Sequence, residues 1–365
     1  MNTFVKLYSF FLGCVLATSL GRGFMSFWFI QNGFSFPQVC LFYLIDYATP
    51  PVMLLFTKKF STQKSFSLAL ISEIFLMFSF YRFWVPWQIY LSGILAGLTV
   101  VFFYITFNTL YFENTPKDKR ATSTSLFVVA GPFLGIVIPL VLGFFGQKYG
   151  LSSVFLISAF ILFLLFRLVK YLPKIEFESR LSQSLIKTSK INLLLFIEGV
   201  KESVSLAAIP LFTLFFIRQS LPYGKFLSYL AFLSAVATVF LGFISDKFKK
   251  RTIILYPVTT LVALSLAALG LASDISWWTI LSGALSFLLT INGTFATTLV
   301  LDKISDVKTG MISREFLLGL GRVLGMALIY LSLSFSNSPR LALIFIGGLY
   351  FFFPLTIYFR KLYQD

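Results

Sequence analysis

No histidine occurs among these 365 residues, cysteine occurs twice, and only 14 residues are acidic. Without histidine the commonest general base is missing. With only Cys14 and Cys40 besides, no ligand set for zinc remains. Both cysteines fall in apolar runs, so no disulfide framework is expected. Charge of either sign is scarce: Asp, Glu, Lys and Arg make up 12% of the chain, against roughly 25% in an average globular protein. Hydrophobic residues reach 58%. A soluble domain of this length has no interior large enough for them, so composition points to a chain that crosses a bilayer many times.

Apolar runs of about 20 residues, the length that spans roughly 30 Å of hydrocarbon as a helix, recur from end to end. Twelve spans are predicted, at 4–30, 38–57, 65–83, 86–112, 121–146, 151–170, 191–217, 222–243, 252–272, 276–300, 310–335 and 339–359. The first is too long for the core of a cleaved signal peptide and lacks a small-residue cleavage site, so it is read as retained. The net charge of +16 would suit a nucleic-acid binder, but its distribution argues against one. Of the 30 Lys and Arg, 20 fall on the segments that share a side with the N-terminus. Five lie opposite: Arg82, Lys148, Arg218, Lys225 and Arg340. That bias marks the first side as cytoplasmic and predicts an inner or plasma membrane protein with both termini inside.

Only one inter-span segment is long, the polar stretch from Pro173 to Lys190. It divides the chain into residues 1–172 and 191–365, with a cytoplasmic linker at 173–190. The halves read as copies. Leu91-Ser92-Gly93 recurs as Leu281-Ser282-Gly283, and Gly131 and Gly135 recur as Gly321 and Gly325, all at an offset of 190. Leu54–Lys64 overlays Gly242–Thr252 at an offset of 188. Duplicated bundles are a recurring plan of transporters, with the binding site at mid-depth between the repeats. The predicted class is an all-α polytopic membrane protein of twelve helices in two pseudo-symmetric six-helix bundles.

The stretch GFISDKFKKR, Gly242 to Arg251, sets one carboxylate before four cations. Gly242, Asp246, Lys247, Lys250 and Arg251 fit the signature loop G-x-x-x-D-[RK]-x-x-[RK]-[RK] of the major facilitator superfamily, and Asn32–Leu44 is similar to that family's first loop and second span. The sequence therefore resembles a member of that superfamily. The resemblance implies that spans 1, 4, 7 and 10 surround a central cavity. It also implies that Asp246 latches onto a helix start in the opposite half, here Ala121 to Ser125. In the first half the corresponding residues are Leu54 for the glycine and Lys58 for the aspartate, so Lys58 is expected near Glu315. Span 4 lacks the arginine common in drug exporters, and Ala130–Gly135 matches the antiporter motif of span 5 only in part.

Ionised groups inside a bilayer cost at least about 2.5–3.5 kcal/mol on insertion scales and usually face the bundle interior. Arg22 lies on a polar stripe with Cys14, Thr18 and Ser26. It reads either as a cavity-lining cation or as the partner of Asp46. On span 7, Glu198, Lys201 and Glu202 share a face with Ser205, as a proton-carrying site or as an internal salt bridge. Glu202 and Arg322 reach comparable depth and are expected to pair. Glu73 reads as structural or interfacial. Hydroxyl stripes at Ser282, Ser286, Thr290 and Thr294, and at Ser92, Thr99 and Thr106, read as pore lining or as close packing of helices. The abundant phenylalanines read as lipid-facing bulk.

The substrate- and ion-binding candidates are thus Arg22, Asp46, Glu198, Lys201, Glu202, Arg322, Ser286, Thr290 and Thr99. The expected function is a secondary transporter that moves a small organic solute, anionic or amphoteric, by alternating access in a monomer. Protons are the coupling ion read first, and no cofactor, metal or nucleic acid is called for. The alternatives are multidrug/proton antiport and a non-transporting scaffold or sensor of the same fold. A polytopic enzyme would need a carboxylate or histidine cluster and loops to hold a donor, and these loops are short.

Overall fold

A computed structural model describes residues 3–82, 85–113, 120–247, 252–304, 306–360 and 362, with backbone alone for 3–4, 120–130, 242–247 and 252–253. Each predicted span appears as helix. The first is α1 (Thr3–Arg22) followed by α2 (Met25–Gln31). The next five are α3 (Phe36–Phe56), α4 (Thr62–Tyr81), α5 (Gln88–Glu113), α6 (Arg120–Lys148) and α7 (Ser152–Leu168). After a short linker helix α8 (Leu181–Lys187), the seventh span is α9 (Asn192–Ser203), a wide π turn at Val204–Ala208, and α10 (Ile209–Thr213). Then come α11 (Ser220–Lys247), α12 (Thr252–Leu269), α13 (Ile275–Lys303) and α14 (Val307–Ser336). The last span is α15 (Arg340–Tyr350) with α16 (Phe352–Phe359). Among the described residues, ten helices are long and apolar enough to cross a membrane. The seventh falls short because it is built in pieces, and the described side chains of the ninth begin only at Ile254.

The helix starts follow from local chemistry. Ser35 and Gln38 form a reciprocal cap ahead of α3, with Pro37 in the first turn, where its missing N–H costs nothing. Asp274 accepts from Ser276 N at 2.8 Å and caps α13, and Asp306 caps α14 in the same way. Successive passes alternate direction, so the termini, the linker and Thr57–Ser61 share one end of the bundle, called here the linker end.

The two broadest helix contacts between the halves correspond by the repeat: α6 packs on α11, and α14 packs on α3. In the first, Ser220 Oγ donates to Gly143 O at 3.0 Å. In the second, Gly319 rests against the ring of Pro51. The repeated glycines do not repeat their contacts. A Cβ on Gly321 would stand 2.1 Å from Phe196 O of α9, whereas one on Gly131 would meet nothing within 4 Å. The pair α9–α14 is therefore a backbone-to-backbone crossing that only glycine permits.

The aromatic rings do not all face lipid. Phe75, Phe133 and Phe335 do lie exposed on the outer surface, yet Phe29, Phe42, Phe66, Phe80, Phe107 and Phe155 are fully buried. Many of these meet edge to face, as Phe29 meets Phe80 at 5.4 Å, because with lipid outside no polar face is needed and rings fill the space between helices.

One element departs from the all-α expectation. Lys59–Ser61 (β1) pairs antiparallel with Glu176–Glu178 (β2) of the linker, with Phe60 opposite Phe177. Lys59 and Glu176 form an ion pair at 2.5 Å, and the hydrogen bond from Lys59 holds the Glu176 carboxyl below the usual carboxylate range. Both side chains are exposed, so that pair contributes little. The clasp rests on Phe60 and Phe177, which pack with Leu54, Val101, Ile105 and Ile312, at about 1.5–3 kcal/mol for each buried ring. Thr62 Oγ1 donates to Ile175 O at 2.9 Å and Gln63 Nε2 to Lys170 O at 3.1 Å, extending it. The α8 helix packs instead on α14. The linker is thus fixed to both halves, with only Ser179 and Arg180 between its two attachments.

Candidate functional site

Two cavities of about 470 and 370 Å³, the larger inside the second half and the smaller between the halves, share the walls Leu206, Thr297, Val300, Arg314 and Arg322. The larger lies against α9, the π turn, α11, α13 and α14, and Glu198, Lys201, Glu202, Ser286 and Thr290 line it. The smaller lies between α1, α3, α5 and α14, and is lined by Arg22, Asp46 and Glu315 among others. Contacts cross between the halves at each end. At the far end Phe36 stacks on Phe215 at 4.0 Å and Phe27 on Tyr223 at 5.4 Å. At the linker end Lys308 meets Glu113 at 3.2 Å.

The π turn explains how the seventh span reaches this space. Val204–Ala208 widens the helix directly after Glu202, and Pro210, lacking an N–H, opens α10. Ser205 and Leu206 of that turn line the larger cavity.

The charges form pairs. Arg322 Nε donates to Glu202 Oε2 at 2.8 Å, joining α14 to α9 as the depth count anticipates, and Arg322 Nη1 lies 3.9 Å from Glu315. Arg314 meets Glu315 as well. Lys201 Nζ donates to Glu198 Oε1 at 2.5 Å. The other oxygen of Glu198 accepts from Tyr350 Oη at 2.9 Å, whose oxygen in turn accepts from Asn292 Nδ2 at 2.7 Å. The trio on α9 is thus an internal salt bridge, with Glu202 directed to a second partner.

Three expectations are corrected. Arg22 does not take Asp46. It grips Glu73 of α4 with two N–H groups, Nε at 2.8 Å, and gives a third bond to Ala96 O at 3.2 Å. Glu73 is fully buried and so is not interfacial. The reason is azimuth, since Asp46 and Glu73 lie at similar depth but only Glu73 is turned toward α1. Lys58 does not reach Glu315. Its segment is drawn into the clasp, where its carbonyl accepts from Ser179 N at 2.8 Å, while Glu315 is occupied by the arginines of its own helix. Thr99 lies off the central cavity: its hydroxyl donates to Leu95 O at 3.1 Å, and it lines a separate space of about 280 Å³ inside the first half, with Cys14, Thr18 and Glu73.

Asp46 is left without a hydrogen-bond partner among the described residues. It is 5% exposed, and its Oδ1 is buried and unmatched. Arg22, Arg322 and Glu73 act on it only at longer range. Two residues outside the sequence candidates stand out beside it. Asn108 lines the same cavity with an unmatched Oδ1, and Tyr104 lies one turn before it. The i+4 stripe Val100, Tyr104, Asn108 is visible in the sequence, but the hydroxyl stripe one residue round the helix competes with it. Gly242, Asp246, Lys247, Lys250 and Arg251, and the partner segment Ala121–Ser125, lie outside the described side chains.

No curated protein sequence matches this chain. Among solved structures, a point variant of the E. coli fucose:proton symporter FucP superposes with a TM-score of 0.67 over 99% of this chain and 98% of its own, at 12% identity. At that identity the likeness establishes the fold alone. A family model described as Major Facilitator Superfamily matches residues 3–326. The chain therefore belongs to the major facilitator superfamily and is a multi-pass membrane transporter rather than an enzyme.

Proposed function

We propose that this protein is a secondary transporter that moves a small organic solute by alternating access, with the proton as coupling ion and Asp46 as its carrier. The observation that carries the reading is Asp46 itself: a buried carboxylate on the cavity between the halves with no hydrogen-bond or ion-pair partner among the described residues. Such a group is costly inside a membrane unless it has a use, and taking up and releasing a proton is one. The groups around it are Tyr43 and Tyr47 on its own helix, Arg22 on α1, Tyr104 on α5, and Arg314, Glu315 and Arg322 on α14. Glu198 and Glu202 are ion-paired, which makes them gating or positioning charges before proton carriers. FucP, by its name, couples a small solute to a proton in a related fold, which supports the proton as the coupling ion here.

In this reading residues 1–172 and 191–365 rock about the cavity, and the Phe36–Phe215 and Lys308–Glu113 contacts open alternately. The positive-charge bias supports placing both termini in the cytoplasm. The latch of Asp246 on Ala121–Ser125 is part of the same proposal. Its chemistry is a carboxylate against the positive end of a helix.

The test is reconstitution in liposomes with a pH gradient and a panel of sugars, amino acids, carboxylates and organic cations. At least one solute is expected to accumulate with movement of protons, and Asp46→Asn is expected to abolish that accumulation. If no solute accumulates and none moves protons, the transporter reading falls and a sensor or scaffold of this fold replaces it.

A further inference from the structure

We infer that the solute is an organic cation carrying hydrogen-bond donors, and that it occupies the Asp46 carboxylate in exchange for the proton; this rests on the transporter reading above. The inference comes from the charges around the two adjoining cavities and the separate space behind Arg22. Four cations stand there: Arg22, Lys201, Arg314 and Arg322. Five carboxylates stand with them: Asp46, Glu73, Glu198, Glu202 and Glu315.

Every one of the four cations is in contact with a carboxylate: Arg22 with Glu73, Lys201 with Glu198, Arg314 with Glu315, and Arg322 with Glu202 at 2.6 Å. Arg22 and Arg322, which in the sequence suggest an anionic or amphoteric solute, are both engaged. A carboxylate solute would have to displace a protein carboxylate from a buried pair and strand it, the arrangement such pairs resist most.

The fifth carboxylate decides the sign. With Asp46 ionised the site lacks one positive charge, and a proton or a monovalent cation restores the balance equally well. The hydrogen-bond inventory points the same way. Asp46 Oδ1 and Asn108 Oδ1 are both buried, unmatched acceptors on the wall of one cavity. An Asn oxygen and an ionised Asp accept and do not donate, so this wall calls for donors. Tyr43, Tyr47 and Tyr104 line the same space, and aromatic side chains suit a cation. A guanidinium or protonated amine brings charge and donors together. A neutral polyol would need the proton already on Asp46, which turns that residue into a donor and removes half of the match.

Three probes of similar shape separate the possibilities: benzylguanidine (cationic at every working pH), its neutral analogue benzylurea, and the anion 3-phenylpropionate. Each is added to the purified full-length protein in detergent, and unfolding midpoint and heat of binding are followed. Only benzylguanidine is expected to raise the midpoint. In weakly buffered solution near the midpoint of Asp46 titration it should expel protons on binding, and at lower pH its affinity should fall by about tenfold per unit as the proton competes. Asp46→Asn is expected to abolish binding and Asp46→Glu to retain it. Tighter binding of benzylurea or 3-phenylpropionate overturns the inference. So does benzylguanidine binding that ignores Asp46→Asn, or none up to the limit of solubility. In liposomes the two readings part: a neutral solute that moves protons while benzylguanidine is inert removes the cation and keeps the transporter. Benzylguanidine bound but never accumulated does the reverse.

Discussion

Neutralising the Glu202–Arg322 pair tests the site's framework without knowledge of the solute. The two side chains are 19% and 12% exposed, so the pair is mostly buried but borders the larger cavity. Removing one partner of a fully buried pair costs about 3–5 kcal/mol, and partial exposure lowers that. Arg322→Gln strands Glu202 and also takes away the second cation near Glu315, so about 2–4 kcal/mol is expected. Glu202→Gln is milder, at about 1–2 kcal/mol, because Arg322 keeps Glu315 at 3.9 Å. The double variant carries two amides that can bond each other and no stranded charge. Its loss should fall short of the summed single losses by at least about 1 kcal/mol. Charge reversal of both residues is a poorer control, because it sets a new carboxylate beside Glu315 and a new cation beside Arg314.

The assay is the folded fraction of purified protein against SDS mole fraction, with yield from mild detergent as a second readout. Losses that add to within about 0.5 kcal/mol would refute the pairing as an energetic unit. Equal losses from the two single variants would refute the supporting role given to Glu315.

Four further outcomes follow from the same geometry. Asp46→Asn should leave SDS resistance within about 0.5 kcal/mol of the parent, because no partner is lost; a large drop would mean that Asp46 is structural. Glu73→Gln should cost about 2–4 kcal/mol by stranding Arg22, and Arg22→Gln in the same chain should recover part of it in the same titration. Gly321→Ala should destroy folded yield, since its Cβ would stand 2.1 Å from the backbone oxygen of Phe196, while Gly348→Ala, with nothing within 4 Å, should be tolerated. Lys59→Cys with Glu178→Cys, directly opposed in the clasp, should oxidise to a disulfide, since opposed antiparallel residues stand about 4.5–5.5 Å apart. Two maleimide-reactive thiols that persist after oxidation in addition to the native Cys14 and Cys40 would show that the clasp does not form.

Depth along the membrane is legible in a sequence such as this one, and rotation about a helix axis is not. Span limits depend on where apolar residues stop, so the tenth span, expected at 276–300, is found at Ile275–Lys303. The same counting puts Glu202 level with Arg322, and the two do pair. It also puts Asp46 level with Arg22, yet Arg22 takes Glu73, which reads in the sequence as structural or interfacial; depth alone fails here, because each helix turns according to packing that no single span encodes. Thr99 fails for the same reason. The stripe Ser92, Thr99, Thr106 is real as a face, but α5 presents Val100, Tyr104 and Asn108 to the cavity instead. The clasp was out of reach for another reason: two strands of three residues, more than a hundred positions apart, carry no periodic signal.

Pairing is also what changes the chemistry of the site. Read as a list, Arg22 and Arg322 are two cations facing a cavity, and an anion is the natural guest. Once each is seen in contact with a glutamate, neither has charge to offer, and the sign of the site passes to the one carboxylate left over. A count of charged residues in the spans shows no surplus, five cations against five carboxylates, because it includes Arg167, which the fold leaves exposed and away from these cavities; the unpaired carboxylate emerges only in the folded chain. The fold identifies it as Asp46, beside Asn108 and three tyrosines, and thereby turns a balanced count into a binding site of definite sign.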